Sequence, residues 1–164
     1  MPSNTNLPQN LTAPQESLPA HWPSVRLHLR IGWWMLLTFV TLGVVLEAMH
    51  GFKIDLYLNV ERASTRVLWT LTHAIGAILG LVHIAFAASL FISADGTANT
   101  VALASACLKC VSILVPAAFL IAGALASERG VALGFVLAIP GILFFLLGLL
   151  LTAMGMDFRP RNRT

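Results

Sequence analysis

Four apolar stretches, each long enough to cross a lipid bilayer, constrain the fold of this chain more than any other feature. They cover residues 31–50, 67–92, 101–126 and 131–154, and a transmembrane helix needs about 20 such residues. Only 10% of the chain is charged and 57% is hydrophobic, whereas soluble domains are roughly 25% charged. Because a soluble core of this size cannot bury so much apolar surface, we expect lipid to be the solvent for much of the chain.

The short links between these stretches predict how the helices are arranged. We expect an all-α integral membrane protein, an antiparallel up-down bundle of four transmembrane helices over residues 26–156. Residues 1–25 are rich in Pro, Asn, Ser and Thr, which is typical of a disordered tail. Residues 157–164 form a basic C-terminal tail. Gly51 is expected to close the first helix as its C-cap.

The distribution of basic residues predicts the orientation of a multi-pass protein. With both termini in the cytoplasm, the inner side holds five basic residues: Arg26, Arg30, Arg159, Arg161 and Arg163. The outer side then holds four: Lys53, Arg62, Arg66 and Arg129. The positive-inside rule therefore favours cytoplasmic N- and C-termini. The expected partners are the lipid bilayer and either a second copy or a larger membrane complex; we expect no nucleic-acid partner.

Ionisable side chains inside the apolar stretches are the candidates for function. Each costs roughly 2.5–3.5 kcal/mol on insertion scales, so a protein keeps them where they are needed. The candidate intramembrane polar site consists of Glu47, His50, His73, His83 and Lys109. On the second helix the two histidines share an arc of about 80° with Gly76 and Gly80, a small-residue pair that predicts a close helix contact.

One part of this site has the residue types of a metal or haem site. Glu47 and His50 stand three residues apart on one helix face, and the returning second helix brings His73 to a similar depth. Glu-x-x-His motifs on facing helices build metal centres in helical bundles. We therefore consider haem or a transition metal as a cofactor, with Glu47, His50 and His73 as ligands. In the alternative interpretation His50 caps the helix C-terminus, and Glu47 pairs with it or with Arg66.

The other part of the site lies one level further along the second helix. His83 follows His73 by ten residues, about 15 Å along the axis, so the two cannot bind one ion together. Histidines at two depths suit either two stacked sites or the steps of a proton relay. In the alternative interpretation each histidine bonds only to a Thr, a Ser or a backbone carbonyl of a neighbouring helix. Lys109 is expected at the depth of His83, on a polar face with Ser105 and Ser112, either directed into the bundle or snorkelling to the headgroups.

Cys107 and Cys110 form a C-x-x-C motif with Lys109 between them. Such a motif is a candidate for thiol redox chemistry, because a neighbouring cation favours the thiolate. The sequence contains no G-x-S-x-G, P-loop, H-E-x-x-H or dinucleotide-binding motif. Our leading hypothesis is a non-catalytic membrane protein whose polar site binds a metal or haem or relays protons. The alternatives are a small transporter or channel subunit, a membrane thiol oxidoreductase, and a structural subunit of a larger complex.

Overall fold

The computed structural model describes residues 21–55, 63–92, 98–125 and 128–155. The described residues are all-helical and form four long apolar helices, so the predicted helix content is confirmed. The helices are α1 (Trp22–Gly51), α2 (Ala63–Ile92), α3 (Ala98–Leu125) and α4 (Glu128–Gly155). Each is long and apolar enough to cross a membrane. The predicted C-terminal tail, residues 157–164, lies outside the described residues, and so do residues 1–20 of the predicted N-terminal tail.

The first helix begins well before the predicted span at residue 31. α1 starts at Trp22, with a proline in its first turn, where the missing N–H of proline costs no hydrogen bond. The added turns bury Val25, and Trp22 and Leu29 pack against the same core. This burial extends the helix through Arg26 and Arg30, whose side chains remain exposed.

The other end of α1 also differs from the prediction. Gly51 has no positive φ; the left-handed residue is Lys53, at φ 51°. The Lys53 N–H donates to the His50 carbonyl at 3.1 Å. The Ile54 N–H donates to the Met49 carbonyl, also at 3.1 Å. Because these two bonds form a Schellman motif centred on Lys53, the expectation that Gly51 is the C-cap is wrong.

Each helix packs extensively on the next one in the chain: α1 on α2, α2 on α3, and α3 on α4. The main core gathers where α1 begins, α2 ends and α3 begins. Its buried apolar residues are Val25, Leu79, Phe86, Ala87, Leu90, Val101, Ala104, Leu108, Val111 and Val115. The best-packed part of the protein is therefore one end of the bundle.

The contact between α1 and α2 depends on glycines. A Cβ at Gly32 would lie 2.7 Å from the Gly80 carbonyl oxygen, and a Cβ at Gly80 would lie 3.0 Å from that of Gly32. A Cβ at Gly76 would lie within 2.3 Å of the Phe39 ring. The prediction that Gly76 and Gly80 form a packing seam is confirmed, since any side chain there would push the helices apart.

Small residues also form the contact between α3 and α4. A Cβ at Gly134 would lie 2.8 Å from that of Ala122, and one at Gly141 would lie 2.5 Å from a Val115 methyl. Both helices contain a proline, Pro116 and Pro140 respectively, yet each continues through it.

Candidate functional site

Two histidines face each other inside the main core, one from α1 and one from α2. His28 is 0% exposed and His83 is 1% exposed. Their Nδ1 atoms lie 2.6 Å apart, and their rings stack with centroids 4.8 Å apart at 25°. At this distance one hydrogen must lie between the two nitrogens, because two lone pairs or two N–H groups would repel each other. We call these two residues the histidine pair.

The glycine contact between α1 and α2 explains why the rings meet. His28 precedes Gly32 by one helical turn, and His83 follows Gly80 by three residues. Residues three or four apart share a helix face, so each ring projects from the face that carries its glycine. Phe86 packs its ring edge-on against His28, with centroids 4.7 Å apart at 69°. The backbone contact therefore sets the distance between the two imidazoles.

Two serines of α3 bind the remaining ring nitrogens. His28 Nε2 lies 2.8 Å from Ser105 Oγ. His83 Nε2 lies 2.6 Å from Ser112 Oγ. The Ser112 hydroxyl donates to the Leu108 carbonyl at 2.8 Å. Ser105, His28, His83 and Ser112 thus form one continuous row of hydrogen bonds, which we call the Ser–His–His–Ser chain.

The proton positions in this chain follow from the one partner that can only accept. Because the Ser112 hydroxyl hydrogen is donated to the Leu108 carbonyl, His83 Nε2–H must donate to Ser112 Oγ. In a neutral ring this leaves His83 Nδ1 as an acceptor for the His28 Nδ1–H. His28 Nε2 then accepts from the Ser105 hydroxyl. Every polar atom of the neutral chain is satisfied, as buried polar groups require.

The chain has room for one more proton. If His28 Nε2 gains a proton, it donates to Ser105 Oγ, and the Nδ1 contact is unchanged. A second proton would place a hydrogen on both facing nitrogens. A metal ion does not fit between these nitrogens, which are 2.6 Å apart. Metal–nitrogen bonds of about 2 Å place two nitrogen ligands on one ion about 3 Å apart or more.

Two of the residues predicted on the polar face of α3, Ser105 and Ser112, contact the histidine pair. Ser105 is buried and Ser112 is half-buried, whereas Lys109 between them is exposed. Lys109 is still close enough to interact electrostatically with both imidazoles. The serines face inward while the lysine stays at the surface, because an ammonium group costs far more to bury than a hydroxyl.

The other predicted histidine, His73, lies at a separate level of the bundle. Its Nδ1–H donates to the Phe39 carbonyl at 2.7 Å. Its ring lies against Gly43, where a Cβ would be within 2.3 Å of the ring. Glu47 and His50, the other residues predicted at this level, are exposed. Within the described residues, no three His, Cys, Asp or Glu side chains are placed to hold a metal ion.

The two cysteines of the C-x-x-C motif are free thiols on α3. Cys107 is buried and Cys110 is exposed. A Cβ at Gly148 of α4 would lie 3.3 Å from the Cβ of Cys107, so this thiol is packed into the contact between α3 and α4.

No protein-family model, curated protein or solved structure matches this chain. The geometry of the Ser–His–His–Ser chain is therefore the basis for proposing a function.

Sequence reasoning missed His28. It lies before the first apolar stretch, between Arg26 and Arg30, and so belongs to the flank of a span that starts at residue 31. A signal was present in the spacing of Val25, His28 and Gly32, which stand at i, i+3 and i+7 on one helix face. These three residues are all buried in the structure.

Proposed function

We propose that this protein is a multi-pass integral membrane protein whose histidine pair accepts a proton inside the bundle and later releases it. In this proposal the four helices form an antiparallel up-down bundle with both termini in the cytoplasm. The observation that carries the proposal is the 2.6 Å contact between the two Nδ1 atoms. Both rings are almost completely buried, and both Nε2 atoms are bound to serines.

The outward faces of the helices support membrane insertion. Large apolar side chains are exposed along α1 and α4, among them Leu37, Val40, Val44, Phe135 and Leu143. Such faces would cause aggregation in water, whereas lipid solvates them. The contacts between α1 and α2 support the antiparallel arrangement. Partner numbers fall on α2 as they rise on α1, from Gly32 with Gly80 to Gly43 with His73.

A proton suits this site better than any larger ligand. Imidazole is the side chain whose ordinary pKa lies nearest neutrality, so it gains and loses a proton under physiological conditions. In the neutral and in the protonated state of the Ser–His–His–Ser chain, every ring N–H has a hydrogen-bond acceptor. Ionisable groups kept within a membrane bundle typically lie on proton or ion pathways. We therefore infer a non-catalytic protein that couples proton binding to a partner process in the membrane.

The other hypotheses have less support from the described residues. A thiol oxidoreductase needs an accessible pair of thiols, but Cys107 is buried in the contact between α3 and α4, and only Cys110 of the two is exposed. A metal or haem site at Glu47, His50 and His73 needs these groups to converge. Glu47 and His50 are exposed, and the His73 Nδ1–H is bonded to a backbone carbonyl. The remaining hypotheses, a transporter or channel subunit and a structural subunit of a larger complex, are compatible with a proton-accepting pair. In either case the complex would supply the process to which proton binding is coupled.

The test is a pH titration of the protein in lipid nanodiscs, with ¹⁵N-labelled histidine observed by NMR. We expect His28 and His83 to share a single proton uptake, and substitution of either one to change the signals of the other. His73→Gln is the matched control, because it alters a half-buried histidine of α2 and should leave both signals unchanged. Two histidines that titrate independently, or a pair that gains no proton across the range in which histidine titrates, would contradict the proposal.

A further inference from the structure

We infer that the proton reaches the histidine pair from one side only, through the Ser105 hydroxyl, from the end of the bundle where α1 and α3 begin. This inference rests on the proposed function and assigns a direction to it. It makes Ser105 a positioning residue for proton uptake and Ser112 a closed end. Three independent observations support it.

The first observation is the direction of the hydrogen bonds. The Ser112 hydroxyl donates its one hydrogen to the Leu108 carbonyl and accepts from the His83 Nε2–H, so it has no hydrogen to give to the pair. A carbonyl cannot pass a proton on, so the chain ends there. At the other end, His28 is the one hydrogen-bond partner of the Ser105 hydroxyl among the described residues. The oxygen of Ser105 therefore keeps lone pairs for an incoming donor.

The second observation is the depth of the pair in the bundle. His28 lies six residues after Trp22, where α1 begins, and Ser105 lies seven residues after Ala98, where α3 begins. These intervals correspond to about 10 Å along the helix axes. In the opposite direction α2 continues from His83 for twenty residues to Ala63, about 30 Å. The pair is thus near one end of the bundle and far from the other.

The third observation is the contrast between the two paths. Half-buried hydroxyl residues lie between the pair and the near end on three helices: Ser24, Ser89 and Thr100. Hydroxyl groups can hold a chain of water molecules as far as Ser105. Towards the far end, α2 is apolar throughout between His83 and His73, and α3 is apolar from residue 113 to its end.

Tight packing closes the far path further. The Phe39 ring fills the space beside Gly76, and Leu36 lies against Gly80. These contacts lie between the pair and His73, so water has no room there on the α1–α2 seam. His73 itself is bonded to a backbone carbonyl, which accepts a hydrogen bond but does not pass a proton on.

The charged groups around the pair do not favour proton entry from the far end of the bundle. Arg26 and Arg30 on α1 and Lys109 on α3 are exposed at about the level of the pair. The facing part of α4 contains no titratable residue between Gly130 and Gly155. The fixed cations therefore lie beside the pair, and the polar path to the near end is what distinguishes the two directions.

The proton transfer balances without any other reactant. The Ser105 oxygen receives the incoming proton and gives its own hydroxyl hydrogen to His28 Nε2. His28 becomes an imidazolium that shares its Nδ1–H with His83. In uptake the bond between the proton and the donating water breaks, one O–H bond forms and one breaks at Ser105, and one N–H bond forms at His28. Release reverses these steps.

The experiment compares Ser105→Ala with Ser112→Ala, and uses Ser105→Thr as the variant that keeps the hydroxyl. Proton exchange of the pair is measured in nanodiscs from ¹⁵N line broadening. We expect Ser105→Ala to slow exchange on the order of 100-fold, the scale of a positioned proton donor. Ser105→Thr should restore the rate. Ser112→Ala removes the acceptor of the His83 Nε2–H and should slow exchange much less than Ser105→Ala, because the Ser112 hydroxyl lies at the closed end of the chain. Equal slowing by both alanine variants, or none by Ser105→Ala, would overturn the direction while the shared titration of the pair still stands.

A second measurement does not depend on any variant. The unaltered protein is placed in liposomes, its orientation is determined by labelling the N-terminal tail, and the pH is stepped on one side. The pair should follow the pH on the side where α1 begins. A response to the opposite side contradicts the inference. A pair that takes up no proton from either side contradicts the proposed function itself.

Discussion

The two histidine levels of this bundle differ in what their ring nitrogens contact. At the level of the histidine pair, each nitrogen faces a group that can both give and accept a proton, either a serine hydroxyl or another imidazole. At the other level, the His73 Nδ1–H donates to the carbonyl of Phe39, which only accepts. In the proposed function the buried imidazoles of the pair exchange a proton, whereas the half-buried His73 ring is anchored by a backbone carbonyl. The hydrogen-bond partners of the two levels distinguish these roles.

The two levels also differ in how the helices approach. Gly32 and Gly80 bring two backbones into contact beside the histidine pair. At the other level, a side chain fills the gap, because the His73 ring lies over Gly43. A contact between backbones has few ways to relax, whereas a ring can rotate. Substitutions at the two levels should therefore differ in the size of their effects.

The largest effect is expected for His28→Ala. It removes the partners of His83 Nδ1 and Ser105 and leaves a cavity in the core, so we expect a loss of about 3 kcal/mol in unfolding free energy. Denaturant titration in mixed micelles measures this loss. The control is the double variant His28→Leu with His83→Leu, which removes both partners together and should lose less. A double variant that is as unstable as the single one would show that the cost does not come from unpaired polar atoms.

Gly32→Ala should come next. Its new methyl would lie 2.7 Å from the Gly80 carbonyl oxygen, so α1 must move away at an expected cost of about 1–3 kcal/mol. The same change should weaken the NMR coupling between the two Nδ1 atoms. Gly51→Ala is the matched control, because nothing lies within 4 Å of its new methyl. If the coupling survives Gly32→Ala unchanged, the glycine contact does not set the distance between the rings.

His73→Leu should have a smaller effect. It removes the bond to the Phe39 carbonyl, and hydrogen bonds within membrane bundles contribute about 0.6 kcal/mol on average. The titration of His28 and His83 should remain as in the unaltered protein. A changed titration would mean that the two levels are coupled, contrary to the apolar segment between them.

The smallest effect is expected from metal removal. Because the nitrogens of the pair are only 2.6 Å apart, a chelator should leave their ¹⁵N signals unchanged. Metal analysis and an absorption spectrum of the purified protein complete this test. A Soret band that disappears in His73→Ala would instead place a haem at the other level.

The sequence predicts the helices well because apolar length is a direct physical requirement for crossing lipid. It also predicts the glycine seam of α2 and the inward direction of Ser105 and Ser112, which depend on helical spacing alone. It does not predict the partner of His83, since that depends on the register between α1 and α2. His28 belongs to a basic flank by composition, and only the contact of Gly32 with Gly80 places it in the core. Two residues without side chains, Gly32 and Gly80, thus decide which polar side chains meet.

The contact of Gly32 with Gly80 also determines how freely α1 can vary in sequence. Over most of its length α1 exposes its side chains, including Trp33, Trp34 and Leu37. These positions can exchange one apolar residue for another without reaching the histidine pair. In the proposed function the requirements for proton uptake fall on a few sites of one helix face, and at one of those sites the requirement is the absence of a side chain.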